Sequence, residues 1–312
     1  MDAIQRLGIG LAALGRPAYI NLGRAGELPP RRSVELMRAT TWDVLDTAYA
    51  AGIRWVDVAR SYGKAEEFLG GWLETRDPDD VTVSSKWGYT YVGDWKIDAP
   101  VHEVKEHSLD RYRAQYRETR ELLDGHLSVY QVHSLTEDSP LFQDIRLQEA
   151  LAELSAEGIR VGFSTSGPRQ ADTIRRAMAL DVSGQRLFST VQSTWNILET
   201  SAEDALREAH DSGLRVLLKE VLANGRLVIR PPVAVQTLAS KSGMQPDALA
   251  LAAALSRPWA DIVLIGAVSP AQLESNLAAA KMCLDERELL VPAGLSISPE
   301  RYWAERSALP WT

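Results

Sequence analysis

Length, composition and charge limit what this chain can be. Its 312 residues are 45% hydrophobic and 24% charged, as in an ordinary globular protein, and they suffice for one large α/β domain over residues 1–312. The net charge of −8, without a long basic run, argues against nucleic-acid binding. No apolar stretch approaches the roughly 20 residues of a membrane helix, so we expect no membrane partner either.

Cysteine usage and the N-terminal segment bear on the compartment. The single cysteine, Cys283, excludes an internal disulfide and a multi-thiolate metal site, and we interpret it as part of an amphipathic helix. The segment MDAIQRLGIGLAALG has no basic start, so we interpret it as a first strand rather than a signal peptide. We therefore predict a cytoplasmic protein, and its oligomeric state stays open.

Short apolar runs recur along the chain. Most are nearly continuous in Val, Ile and Leu, as in strands that are buried on both faces. In chain order the eight runs are LGIGLAAL (from Leu7), IRWVDV (from Ile53), VTVSSK (from Val81), LSVYQVH (from Leu127), IRVGFS (from Ile159), LFSTVQS (from Leu187), LRVLLKE (from Leu214) and DIVLIG (from Asp261).

Helix-like stretches separate these runs. TTWDVLDTAYAAG has Thr before its apolar stripe and Gly after it, which are start and stop signals of a helix. The same plan recurs in SLDRYRAQYRETRELLDG, LQEALAELSAEG, SAEDALREAHDSG and SPAQLESNLAAAK. Eight alternations of strand and helix predict a closed (β/α)8 TIM barrel. An open doubly wound sheet is the alternative, but GIGLAALG lacks the G-x-G-x-x-G spacing of that fold.

Several segments are too long to be plain connections. They are residues 15–38, 87–107 and 223–232, and the tail from residue 291. Long loops in a compact domain usually carry function. Loops that follow the strands of a TIM barrel lie over its active-site face, so we expect these segments to border a site.

Polar residues end the predicted strands, where the carboxyl ends of a barrel converge on one mouth. Asp57, Lys86 and His133 end consecutive strands, and Tyr62 lies in the loop after the first of them. Lys86 beside Asp57 should stay charged and bring the pKa of Tyr62 down from about 10 towards neutrality. Tyr62 could then exchange a proton with a substrate while His133 orients a carbonyl oxygen. Taken singly, Asp57 could be a cap, Tyr62 a packing residue and His133 a core histidine, but the set favours catalysis.

The sequence contains four further histidines and several aromatic residues in the long loops and at strand ends. We interpret His102, His107, His126 and His210 as solvated, since they lack metal-ligand spacing, and we predict no metal site. Aromatic side chains often line substrate cavities, with loop packing as the alternative. Trp87 follows Lys86 and Trp195 follows the Gln192 strand, so both are predicted to bind substrate. Further aromatic candidates for the cavity wall are Tyr89, Tyr91, Trp95 and Trp303.

Six segments, in order, resemble the aldo-keto reductase superfamily over almost the whole chain. They are DVARSYG, SSKWG, SVYQVHS, GIRVGFSTSG, TVQSTWNIL and VLIGAVSPAQLESN. The resemblance implies an NAD(P)-dependent oxidoreductase that reduces an aldehyde or ketone, or oxidises a sugar-like alcohol. It also implies a catalytic tetrad of Asp57, Tyr62, Lys86 and His133, in which Tyr62 is the general acid or base.

The same resemblance implies a dinucleotide site, with NADP as the cofactor of most members. Ser164 and Gln192 would hold the nicotinamide carboxamide, and Ser269 would lie towards the adenosine. Gly266 and Gln272 are neutral where many NADP-using members carry Lys and Arg, so NAD is the alternative cofactor. The cofactor-binding residues implied in full are Ser164, Thr165, Gln192, Lys219, Leu222, Gly225, Leu227, Gly266, Ser269, Gln272 and Asn276.

This sequence departs from the usual pattern at two strand ends. Thr165 stands where the family commonly has Asn, and Lys219 with Glu220 stands where many members have a Tyr-Ser pair. Two other functions stay open. One is a barrel lyase that uses Lys86 as a Schiff-base nucleophile, and the other is a cofactor-sensing regulatory subunit of the same fold.

Overall fold

The fold comes from a computed structural model that describes residues 2–123, 125–282, 284 and 294–312. The expectation for Cys283 lies outside the described residues. Within this part of the chain, eight parallel strands close into a barrel in the order β1-β8-β7-β6-β5-β4-β3-β2. The strands are β1 (Leu7–Gly10), β2 (Trp55–Asp57), β3 (Thr82–Trp87), β4 (Leu127–Leu135), β5 (Arg160–Thr165), β6 (Thr190–Thr194), β7 (Arg215–Lys219) and β8 (Ile262–Ile265). Each coincides with one of the eight apolar runs, and four of them extend one or two residues beyond its end, so the predicted TIM barrel is confirmed.

Helices connect the strands and cover the barrel. The longer ones are α1 (Val34–Ala50), α2 (Ala65–Arg76), α3 (Leu109–Leu123), α4 (Ile145–Ala156), α5 (Gln170–Met178), α6 (Glu203–Asp211), α7 (Val233–Lys241), α8 (Pro246–Leu255), α9 (Pro270–Leu277) and α10 (Pro299–Ser307). The start predicted for α1 at Thr40 is wrong, because Ser33 caps the helix by accepting a hydrogen bond from the N–H of Leu36. Thr40 lies inside the helix, where its hydroxyl donates to the carbonyl of Leu36. No helix in the described ranges is long and apolar enough to cross a bilayer.

The inside of the barrel is apolar at one level and polar above it. Trp55, Val129, Leu217, Ile262 and Leu264 form a buried cluster inside the strands. Successive side chains of a strand point to opposite faces. Residues two or four positions after a member of this cluster therefore also point inward, nearer the carboxyl end of the strand, as Asp57, His133 and Lys219 do. The sequence therefore places polar side chains in a layer above a sealed hydrophobic floor.

The long loops form a roof over this polar layer. After β3, Tyr89–Tyr91 pairs with Glu103–Lys105 in an antiparallel hairpin. The N–H of Leu22 donates to the carbonyl of Asn224 at 2.9 Å, which joins the loop after β1 to the loop after β7. Tyr19 and Thr312 exchange two backbone hydrogen bonds of 3.2 Å, which bring the tail to the same place. The expectation that these segments border one mouth agrees with this arrangement.

Two histidines of the hairpin loop are not solvated. His102 is 7% exposed and His107 is 4% exposed. The ring of His102 stacks on Trp311 with centroids 4.2 Å apart. His107 bonds Ser139 Oγ through Nδ1 at 2.8 Å and the carbonyl of His133 through Nε2 at 2.9 Å. The prediction of solvated rings is wrong for both residues, because the hairpin folds back onto the barrel and the tail.

Candidate active site

Asp57, at the end of β2, is the centre of a buried polar network. It is 3% exposed, and Lys86 Nζ donates to its Oδ2 at 2.5 Å and to the carbonyl of Val58 at 2.9 Å. Ser84 Oγ donates to Asp57 Oδ1 at 2.7 Å, and Gln192 Nε2 donates to the same oxygen at 3.0 Å. The ammonium and the carboxylate neutralise each other where both side chains are almost fully buried, which makes burial of both charges tolerable.

Tyr62 lies beside this ion pair and has the opposite pKa shift to the one expected. Lys86 Nζ is 5.0 Å from the centre of the Tyr62 ring. Burial, followed by the negative charge of Asp57, raises the pKa of Tyr62 well above its ordinary value, and Arg16 offsets only part of this. The prediction of a pKa near neutrality is therefore wrong. The positive charge of Lys86 is balanced by its partner Asp57, so desolvation of the phenolate dominates.

His133 faces Tyr62 across the mouth of the barrel. The two rings meet edge to face with centroids 5.5 Å apart, and His133 Nδ1 is 3.4 Å from Ser61 Oγ. Burial, followed by the charge of Lys86, lowers the pKa of His133 well below 6.5. The imidazole is therefore neutral at physiological pH, and one ring nitrogen carries a hydrogen that it can donate.

Three predicted site residues lie on the outer side of the barrel wall and do not line the cavity described below. Trp87 is fully buried behind the barrel, with its ring 5.2 Å from Tyr112. Trp195 is also fully buried, and its indole N–H donates to Glu203 at 3.1 Å. Thr165 Oγ1 is 2.8 Å from Ser193 Oγ, on the same outer side. Adjacent residues of a strand point to opposite faces, so a residue next to an inward Lys86 or Ser164 points outward.

One cavity of about 630 Å³ contains the site. Asp57, Tyr62 and His133 line it, and Lys86 lies behind Asp57. The predicted cofactor residues that also line this cavity are Gln192, Lys219, Leu222, Gly225, Gly266, Gln272 and Asn276. The structure thus brings together the tetrad and most of the proposed dinucleotide residues in one continuous space.

The remaining predicted cofactor residues lie beside this space. Ser164 Oγ accepts a hydrogen bond from the N–H of Ser134 at 2.8 Å, and Ser134 itself lines the cavity. Leu227 is fully buried in the hydrophobic core. Ser269 caps α9 through the N–H of Gln272, and its hydroxyl donates to Glu27 at 3.0 Å. These side chains support the wall of the cavity from behind or from its rim.

The structure adds wall residues that sequence reasoning missed. Arg16, Glu103 and Trp311 line the cavity, as do Tyr89, which was an aromatic candidate, and Tyr19, which lies in the segment 15–38 that was expected to border the site. Arg16 is 1% exposed, donates to Glu103 at 2.8 Å and lies 5.3 Å from the centre of the Tyr62 ring. Their location in the long loops was the available signal, but no periodic pattern indicates which loop residues turn inward.

The cavity fits an extended, polar cofactor. Its volume lies within the range of about 300–1,000 Å³ that is usual for ligand pockets. Asn21 and Asn224 line it, and within the described part of the chain the buried Oδ1 of each has no hydrogen-bond partner. Buried acceptors are normally satisfied, so these two oxygens indicate a donor-bearing ligand. Among the described residues, no group of three His, Cys, Asp or Glu side chains could hold a metal ion.

Several known proteins are similar to this chain in sequence. The aldo-keto reductase str7 of Strobilurus tenacellus is 24% identical over 301 residues, covering 86% of this chain and 82% of the relative. Protein tas of Escherichia coli strain K12 is 24% identical over 298 residues, covering 78% of this chain and 85% of that protein. The D-threo-aldose 1-dehydrogenase of a Pseudomonas species is 39% identical, but only over 88 residues, which is 28% of this chain and 22% of that protein.

A solved structure shares the fold. The holo form of aldo-keto reductase AKR11C1 from Bacillus halodurans superposes with a TM-score of 0.67 at 21% identity, covering 94% of this chain and 92% of that one. A sequence model of the Aldo/keto reductase family matches residues 6–290. This match spans all eight strands and every predicted tetrad residue. The chain therefore belongs to the aldo/keto reductase family.

Proposed function

We propose that this protein reduces an aldehyde or ketone with NAD(P)H, and that Tyr62 is the proton donor. The observation that carries the proposal is the joint placement of Tyr62, His133 and the Asp57–Lys86 ion pair at one end of a cofactor-sized cavity. Membership of the aldo/keto reductase family supports an oxidoreductase. The dinucleotide, when bound, supplies the hydride.

Each residue of the tetrad has a distinct role in this proposal. The Tyr62 hydroxyl donates its proton to the substrate oxygen as negative charge develops there. Neutral His133 donates a ring N–H to the same oxygen and orients the carbonyl group. The Asp57–Lys86 pair fixes two opposite charges beneath them and keeps the floor of the site rigid.

The electrostatics of the site favour the protonated form of Tyr62. Because the pKa of Tyr62 lies well above 10, the phenol keeps its proton until the substrate oxygen needs it. Oxidation of a sugar-like alcohol would require the phenolate first, which the surrounding apolar groups and Asp57 oppose. We therefore propose that Tyr62 acts from its protonated form, which is the form that carbonyl reduction uses.

We propose that the cofactor lies along the whole cavity. Gln192 would face the nicotinamide carboxamide, residues Leu222 and Gly225 would lie near the pyrophosphate, and Gln272 and Asn276 would face the adenosine. The resemblance to the superfamily favours NADP, and the neutral Gly266 and Gln272 leave NAD as the alternative.

The substrate is proposed to be a small soluble carbonyl compound. The part of the cavity where the substrate would bind is lined by Tyr19, Tyr89 and Trp311 and by the Arg16–Glu103 ion pair. Aromatic faces beside charged hydrogen-bonding groups suit a hydroxylated substrate. The local similarity to D-threo-aldose 1-dehydrogenase points to the same class. We propose a single-domain cytoplasmic enzyme acting on such a compound.

The first test replaces Tyr62 with Phe, which removes one oxygen and keeps the ring. Turnover of an aldehyde panel should fall at least about 100-fold, because general-acid catalysis contributes about 10²–10⁴-fold. Fluorescence titration with NADPH and NADH should give dissociation constants within about threefold of the parent protein, since the ring still fills its place in the wall.

Tyr116→Phe is the matched control, because this hydroxyl bonds Glu157 on the outer surface. It should leave turnover unchanged. Near-native rates in Tyr62→Phe would refute the assigned role.

Binding of the dinucleotide without turnover on a broad carbonyl and sugar panel would favour the regulatory subunit instead. The Schiff-base alternative is disfavoured by Lys86, whose ammonium is bound to Asp57 and to a backbone carbonyl.

A further inference from the structure

Lys219 brings a second ammonium group to the tetrad end of the cavity. It is the last residue of β7 and points inward, two positions after Leu217 of the barrel floor. Its Nζ donates to Thr194 Oγ1 at 2.8 Å and lies 5.8 Å from the centre of the Trp303 ring. The side chain is 17% exposed and lines the same cavity as Tyr62, His133 and Gln192.

The charges around Lys219 do not cancel. Glu220 is its nearest carboxylate, at 3.8 Å, but Arg306 holds that carboxylate in a two-pronged contact with its shortest distance at 2.5 Å. One negative charge is thus shared between two cations. The cluster of Lys219, Glu220 and Arg306 carries one net positive charge, whereas the neighbouring Asp57–Lys86 pair is neutral.

The two oxidation states of a nicotinamide differ in charge. The oxidised ring is a pyridinium with one positive charge, and the reduced ring is neutral. If Tyr62 protonates the substrate oxygen, the nicotinamide must lie at the tetrad end of the cavity, within reach of the carbonyl carbon. There it shares a poorly solvated space with the Lys219 ammonium, and like charges in such a space repel strongly.

We propose that Lys219 discriminates between the oxidation states of the bound cofactor, weakening the oxidised dinucleotide relative to the reduced one. This inference rests on the proposed function, because it needs a nicotinamide at the tetrad end. The consequence is that the oxidised product leaves readily after each reduction, and that the protein is poorly inhibited by it. Lys219 is then a specificity-determining residue for the redox form of the cofactor.

The surroundings of Lys219 make the effect dependent on pH. Burial, which outweighs the opposing charge of Glu220, lowers the pKa of Lys219 to about 8. Arg306, Lys86 and Asp57 are the other charged groups that act on it. Glu220, whose own pKa is lowered to about 2, and the Arg306 guanidinium keep their charges between pH 6.5 and 9.5. Discrimination should therefore be full at pH 6.5 and should decline as the pH rises through about 8.

The experiment measures binding and needs no turnover. Dissociation constants are determined by calorimetry for NADPH, NADP⁺, NADH and NAD⁺ at pH 6.5. The dissociation constant of each oxidised form is divided by that of its reduced form, and this ratio is compared between the parent protein and the variants. We expect Lys219→Met to lower the ratio about tenfold, equivalent to about 1.4 kcal/mol, through tighter binding of the oxidised forms. Lys219→Gln should do the same while it keeps a donor for Thr194, so the test stands if the Met variant does not fold.

Lys64→Met is the matched control, because Lys64 is exposed on the surface and pairs with Glu67. It should keep the parent ratio. An unchanged ratio in both Lys219 variants would overturn this inference and leave the proposed function intact. If none of the four dinucleotides binds to the parent protein, the proposed function itself fails, and the inference fails with it.

Discussion

Asp57 is the residue on which the site depends most. Among the described residues, four side chains donate to its carboxylate, from Lys86, Ser84, Gln131 and Gln192. A carboxylate that is 3% exposed survives as an anion only with such a set of donors. The sequence predicts the Asp57–Lys86 contact, since both end neighbouring strands. It does not predict that Gln192 bonds Asp57 across the barrel, because that contact depends on barrel diameter.

Removal of the Lys86 ammonium should destabilise the folded protein. Lys86→Met should lower the free energy of unfolding by about 3–5 kcal/mol, because it leaves the Asp57 carboxylate buried without its counter-charge. The midpoint of urea unfolding at pH 7 measures the loss. The double variant Asp57→Asn/Lys86→Met removes both charges and should regain much of it. If Lys86→Met proves as stable as the parent, the ion pair is not the constraint that we describe.

Single residues also show where sequence reasoning stops. The tetrad positions follow from strand ends and a family motif, and the structure brings all four together. Nearness to Lys86 or Gln192 in sequence does not predict which side of the barrel wall Trp87 and Trp195 occupy, because adjacent residues of an extended chain point to opposite faces. The pKa direction of Tyr62 was wrong for another reason. It depends on the sum of burial and several charges, and a sequence gives only which charges are near.

At the scale of elements, the strands and helices of the barrel were predictable and the loop hairpin was not. Alternating apolar runs and helix signals follow local chemistry, whereas Tyr89–Tyr91 and Glu103–Lys105 pair across an intervening loop. His107 anchors this hairpin loop. Its Nε2 contacts a carbonyl, which can only accept, so Nε2 carries the hydrogen and Nδ1 accepts from Ser139 Oγ. The neutral ring is therefore the form that the fold requires.

Acid should destabilise the fold through protonation of His107. Burial, followed by the charge of Lys105, lowers the pKa of His107 from 6.5 to about 4. Between these values the unfolded chain binds a proton that the folded protein does not, so stability falls as the pH drops from about 6.5 to about 4. The full loss is about 3 kcal/mol at 1.36 kcal/mol per pKa unit. Urea unfolding midpoints at pH 7 and 4.5 measure most of it.

The variant that isolates this effect is His107→Gln. It should be less stable than the parent at pH 7, because the two hydrogen bonds of the ring are weakened. It should nevertheless lose less stability between pH 7 and 4.5, since residue 107 no longer titrates. His126→Gln, on the half-exposed turn before β4, should keep the pH dependence of the parent. A slope unchanged by His107→Gln would show that other groups account for the acid sensitivity.

At the scale of the whole molecule, contacts between the two ends of the chain close the barrel and its roof. β1 pairs with β8 through Gly8 and Leu264, and Tyr19 pairs with Thr312 above the cavity. Fold class could be predicted because eight strand–helix units have few ways to bury their faces. The roof could not, because the contacts of Leu22 with Asn224 and of Tyr19 with Thr312 join segments that are more than 200 residues apart and share no periodicity.

Arg6 stabilises the contact between β1 and β8 at the amino-terminal end of the strands. Its guanidinium donates to the carbonyls of Leu255, Arg257 and Ala260, at 2.7, 2.8 and 2.7 Å, in the turn between α8 and β8. Arg6→Ala should lower the free energy of unfolding by at least about 3 kcal/mol, since each hydrogen bond to a charged donor contributes about 1.5–3 kcal/mol and three partly buried acceptors lose theirs. Arg6→Lys should fall between, because an ammonium is a single point charge that cannot reach three carbonyls as a planar fork does. Urea unfolding measures both, and Arg146→Ala on the exposed face of α4 is the control that should change little. Equal stability of Arg6→Ala and Arg146→Ala would mean that strand pairing alone holds β1 against β8, and that the guanidinium is dispensable to the closed barrel.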